Sequence, residues 1–170
     1  MKYIQSSGSQ LLLLLLSLVG AAIAVYLTTV HYANTPLYCS TNGLVDCTRV
    51  LSSTYSNIPG TAIPITIPGL AWCIVGAALA IAGLTFVFIP RWLKVTQFLW
   101  SFTGMLAVLY LVYVEIVRLH TICAWCTALH AIILIMFLAT LVQLQASRRE
   151  ESEPESVDEE PTVTMLRNPK

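Results

Sequence analysis

The stretch "RLHTICAWCTALHAIILIMFLATLV", residues 118 to 142, sets a Cys-x-x-Cys pair, Cys123 and Cys126, at the mouth of an apolar run. The run is long enough, at about 1.5 Å of rise per residue, to cross about 30 Å of hydrocarbon. A thiol pair at the lip of a membrane helix is an odd place for structural bracing and a good one for chemistry. The fold follows from asking how many such runs the chain has.

Composition agrees with a membrane setting: 56% of the 170 residues are hydrophobic and 11% are charged, with a mean hydropathy of +0.75, far from the usual soluble domain. Four stretches qualify as spans: about 11–30, 69–89, 97–117 and 122–143. They predict an all-α integral membrane protein, a four-helix bundle over residues 11–143. Lys2, a leucine run and "AIA" at 22–24 have the look of a cleavable signal, but the apolar run continues to Val30, so it is read as an uncleaved anchor.

Lys2, Arg91, Lys94, Arg148 and Arg149 fall on one side of the bundle and Arg49 and Arg118 on the other. By the positive-inside rule both termini are cytoplasmic, in an inner or plasma membrane. The loop 31–68 and the turn at 118–122 then face an oxidising compartment where disulfides persist. Residues 1–10 read as a short polar lead. Residues 144–170 read as an acidic, disordered tail, since Glu150, Glu151, Glu153, Glu155, Asp158, Glu159 and Glu160 crowd into it with few hydrophobes. No basic tract with interleaved aromatics supports nucleic-acid binding.

The outer loop is too long for a mere connector. Within it Asp46 is a plausible N-cap for a short surface helix carrying Val50 and Leu51, ended by Pro59 and Gly60. The proline-punctuated "IPGTAIPITIPGL" reads as an extended return to the second span.

Cys39 and Cys47 lie in that loop, Cys73 inside the second span, and Cys123 and Cys126 at the start of the fourth. Two structural disulfides, Cys39 to Cys47 and Cys123 to Cys126, are one reading. The short ring and the helix N-terminus, which stabilises a thiolate, favour a reactive pair instead. Zinc is disfavoured because the loop cysteines are separated by seven residues and only one compact Cys-x-x-Cys is present. Cys73 reads as a buried packing residue. Two dithiols on one face suggest an electron relay by thiol-disulfide exchange. Lacking a nucleotide or haem fingerprint, the chain would pass its electrons to a lipid-soluble quinone.

"CSTNGLVDCTRVLSSTYS", "IPGLAWC" and "YVEIVRLHTICAWCTALH" together resemble the vitamin K epoxide reductase family, in its bacterial disulfide-forming branch without a fused thioredoxin-like domain. The resemblance covers residues 11 to 143. It implies a bundle around a quinone of menaquinone, ubiquinone or vitamin K type, capped by the outer loop. By the same resemblance Cys39 and Cys47 are the shuttle pair, Cys123 exchanges with Cys47, and Cys126 meets the quinone. Ser53 matches the family serine near the quinone, and His130, one turn after Cys126, stands where vertebrate members carry a quinone-contacting tyrosine. The implied function is quinone-dependent oxidation of an exported thioredoxin-like or DsbA-like partner acting in trans. The alternatives are reduction of vitamin K or its epoxide on the same fold, a disulfide oxidase of an unrelated four-span fold, and a non-enzymatic tetraspan scaffold. Glu115 reads as an ion-pair partner of Arg118 three residues on, and His31 and Trp125 as interface residues.

Overall fold

A computed structural model describes residues 2–33, 37–39, 45–58, 60–86 and 90–152. Helix α1 runs over Lys2–Ala33, short helix α2 over Cys47–Leu51, α3 over Thr66–Thr85, α4 over Arg91–Tyr113 and α5 over Ala124–Ser152. A 3-10 turn, Thr54–Ser56, follows α2, and a π turn, Val114–Leu119, extends α4. Ser7–Ala33, Thr66–Thr85, Arg91–Leu119 and Ala124–Arg149 are each long and apolar enough to cross a membrane. In hydrocarbon the backbone must satisfy its own hydrogen bonds, which leaves the helix as the solution for such runs. The protein is a multi-pass, all-α membrane bundle.

The four long helices form a ring. Helix α1 packs most extensively on α3 and also on α5, while α4 packs on α5 and α3. Leu13, Ala80 and Met136 form the centre, with Leu16, Trp72 and Ile132 packed against them. Large side chains such as Leu15, Leu18, Leu106 and Leu109 stand exposed on the outside, a distribution that suits lipid and would be costly in water.

Several boundaries depart from the sequence expectation. Helix α1 already includes most of the residues read as a polar lead, because Gln10 is fully buried and employed. Its amide donates to Gln97 Oε1 (3.2 Å) and Gln143 Oε1 (2.9 Å), while Gln97 Nε2 donates to Gln10 Oε1 (2.8 Å) and to the Leu79 carbonyl (3.0 Å). This polar knot joins all four long helices, and interhelical hydrogen bonds of that kind substitute for the hydrophobic drive that lipid does not provide. Likewise α5 continues through 144–152, where Lys94 Nζ donates to Ser147 Oγ at 2.7 Å; the remainder of the acidic tail lies outside the described residues. The second span opens at Thr66, three residues early, because Pro68 falls in the first turn, where a missing N–H costs nothing. Its expected end at 89 lies outside the described residues, as does Pro59.

Between α3 and α4 the contact is close. Trp72 Nε1 donates to the Trp100 carbonyl and Trp100 Nε1 to the Trp72 carbonyl, both at 3.2 Å, with the rings stacked. A Cβ on Gly104 would collide with the Trp72 ring, so this pair of helices meets only with glycine there. Gly104→Val is expected to destabilise the bundle by about 1–3 kcal/mol through overpacking, seen as a lower thermal midpoint in detergent. An unchanged midpoint would mean that the Trp72–Trp100 contact is not a structural constraint.

Candidate functional site

The capping segment is tied to the start of α5. Asp46 caps α2, its Oδ1 accepting the Arg49 N–H at 2.9 Å, as the sequence predicts. Immediately before this cap Val45 forms a parallel bridge with Ile122, and the Asp46 N–H donates to the Ile122 carbonyl at 3.1 Å. Cys47 follows Asp46 and Cys123 follows Ile122, so one backbone bond brings the loop cysteine up to the helix-start cysteine. Both are completely buried. On the loop side Cys47 is disulfide-bonded to Cys39, while Cys123 and Cys126 are free thiols. A second tie runs from the Trp125 indole N–H to the Tyr38 carbonyl (3.0 Å), with the Trp125 ring against Tyr26.

At the helix mouth the division of labour differs from a plain pair of thiols. Cys123 immediately precedes α5, and its Sγ accepts the Cys126 backbone N–H at 3.3 Å, so the sulfur itself caps the helix. A sulfur so placed at a helix N-terminus is one whose thiolate form the helix favours. Cys126 is one turn in and faces the bundle interior.

There it borders a cavity of about 300 Å³, whose lining includes Ser53, Tyr55, Cys73, Glu115, Cys126 and His130. Most of the wall is apolar, supplied by residues such as Leu27, Val108, Leu111 and Ile133. That size and character, with a few polar groups converging, are those of a small-molecule site. Ser53 lies over it from the capping segment, its hydroxyl donating to the Val50 carbonyl at 2.8 Å. The largely buried His130 imidazole makes no hydrogen bond to another described residue. Cys39, Cys47 and Cys123 do not border the cavity. Cys73 is buried, packing against Gly20, and also borders the cavity. Among the described residues, no group of His, Cys, Asp and Glu is arranged to hold a metal ion.

The expected Glu115–Arg118 ion pair does not form. Arg118 donates through Nε (3.1 Å) and Nη2 (2.9 Å) to the Tyr55 hydroxyl and lies over the Tyr55 ring. Glu115 is buried and its carboxylate faces the Cys123 N–H and the Cys126 thiol. The cause is the π turn: pairing at i, i+3 presumes α-helical spacing, and the wider turn separates the two side chains. His31, read as an interface residue, also borders the cavity. Glu115 is legible in principle, because it continues the buried stripe Leu93, Gln97, Ser101, Gly104 and Val108 along α4. Tyr55 gives no local signal, since its partner is remote in sequence.

A membrane-embedded helical bundle with a disulfide and a dithiol side by side, the inner thiol opening on an apolar cavity, defines the class of membrane thiol-disulfide oxidoreductases. Residues 11–141 match the Vitamin K epoxide reductase family, and the chain belongs to that family. No curated protein matches the chain.

Proposed function

We propose that the protein oxidises the dithiol of an exported thioredoxin-fold protein and delivers the two electrons to a membrane quinone, supporting disulfide bond formation. The observation that carries this reading is the serial arrangement: Cys39–Cys47 on the cap, Cys47 brought up to Cys123 by the Asp46–Ile122 hydrogen bond, and Cys126 on the cavity. In the proposed sequence the partner's thiolate reduces the loop disulfide. Cys47 then attacks Cys123 of the inner disulfide, releasing Cys126. Cys39 next attacks Cys47 and releases Cys123, whose helix-capping position makes it a good leaving thiolate. The outer pair is then oxidised and the inner pair reduced, the same distribution as in the structure.

A quinone in the cavity would supply a two-electron, two-proton acceptor. A quinone ring would suit the apolar walls, and Ser53 and His130 would hold its oxygens: the His130 imidazole makes no hydrogen bond to another described residue, and Ser53 would have to turn its hydroxyl away from Val50. We further propose that the cysteine-bearing end faces outward and the termini inward, on the strength of the basic-residue distribution.

The test separates the two halves of the relay. In proteoliposomes containing menaquinone, the wild type should oxidise both reduced thioredoxin and dithiothreitol. Cys39→Ala should lose at least about tenfold in thioredoxin oxidation while retaining quinone reduction by dithiothreitol, which is small enough to reach the inner pair directly. Absence of quinone reduction by the wild type with either reductant would overturn the reading. Equal loss of both activities in Cys39→Ala would instead assign the loop pair a structural role.

A further inference from the structure

Glu115 is buried at the junction of the π turn and α5, borders the same cavity as Cys126, and has the Cys126 thiol and the Cys123 N–H before its carboxylate. Its backbone is fixed as firmly as its side chain is placed. The Glu115 carbonyl accepts the N–H of His120, a left-handed residue, and that of Thr121 at 3.1 Å. These two bonds close the turn that reverses the chain from α4 into α5. An acid in a membrane helix is expensive to bury and persists where it is used. Its nearest cation in sequence, Arg118, is engaged by Tyr55, so charge pairing with that residue does not explain it.

We propose that Glu115 is the acid-base group of the inner dithiol: it takes the proton of the Cys126 thiol and returns it to the acceptor in the cavity. The carboxylate removes the Cys126 proton, leaving a thiolate and a neutral carboxyl. As the Cys123–Cys126 bond forms, two electrons leave the sulfurs for the quinone. The proton held on Glu115 and the one from Cys123 complete the quinol, and the carboxylate is regenerated. Cys123 and Cys126 face Glu115 directly, while the other titratable groups around the cavity are His31, Tyr55, Cys73, Tyr110 and His130. Among the described residues that line the cavity, Glu115 is the one carboxylate, and it shares that lining with Cys126.

This inference rests on the proposed quinone chemistry, but one arm of its test does not. Reduced protein in detergent micelles, without quinone, is alkylated with iodoacetamide across a pH series, and Cys126 labelling is read by peptide mass mapping. With Glu115 sharing the proton, the wild type should show a two-step profile whose low-pH limb is set by the carboxyl; Glu115→Gln should replace it with a single step, and Glu115→Asp should partly restore the two steps. In the second arm, Glu115→Gln should lower kcat for dithiothreitol-driven menaquinone reduction by about 100-fold, within the range of general acid-base catalysis, with the quinone KM little changed. An unaltered alkylation profile and kcat in Glu115→Gln overturns the proposal. Loss of the low-pH limb in a protein whose wild type reduces no quinone leaves the proton coupling standing and overturns the acceptor instead. If Glu115→Gln does not fold, a wild-type-like profile and kcat in Glu115→Asp, whose carboxylate is withdrawn by a methylene, counts against the proposal.

Discussion

Cys126→Ala is expected to lower quinone reduction by about three orders of magnitude or more, whichever reductant is supplied, because removing a nucleophile is not compensated by the remaining site. Of the four paired cysteines, only Cys126 borders the cavity. Cys123 is fully buried, caps α5 and does not border the cavity. An electron pair leaving the inner dithiol therefore has one sulfur through which to go. The substitution removes little packing, since Cys126 is not among the fully buried residues, so the variant should remain folded in detergent with an unchanged thermal midpoint. Retention of more than a few percent of the wild-type rate in a folded Cys126→Ala protein would show that another thiol, with Cys73 as the remaining cavity cysteine, performs the terminal step.

Whether a feature of this protein can be read from its amino-acid sequence alone depends on the range of the interaction that creates it. The spans are legible because a bilayer core imposes length and apolarity on contiguous residues. The Asp46 cap is legible because its partner, Arg49, is three residues away. The Cys-x-x-Cys motif announces its own location at a helix start. By contrast, Gln10 looks like part of a polar lead until Gln97 and Gln143 are brought to it from other helices. Arg118 looks like a partner for Glu115 until a π turn parts them and Tyr55 arrives from the cap. Cys73 and His31 carry no local sign that a cavity passes beside them. What local sequence leaves open is the choice among partners made by tertiary contacts, together with one departure from α-helical spacing.

The contact between cap and bundle is the joint on which the relay turns. Val45 and Ile122 are bridged, Asp46 bonds to the Ile122 carbonyl, and Arg118 grips Tyr55. Each tie holds the segment bearing Cys47 against the turn bearing Cys123, and a disulfide between them requires their Cα atoms within about 7 Å. Removing both resolving cysteines would isolate that joint. In Cys39→Ala/Cys126→Ala protein, oxidised in native membranes and mapped by non-reducing mass spectrometry, the account predicts a peptide pair linked through a Cys47–Cys123 disulfide, with no remaining member of either pair to displace it. Free thiols at both positions under those conditions would contradict it, and would leave the loop disulfide as a brace rather than a carrier of electrons.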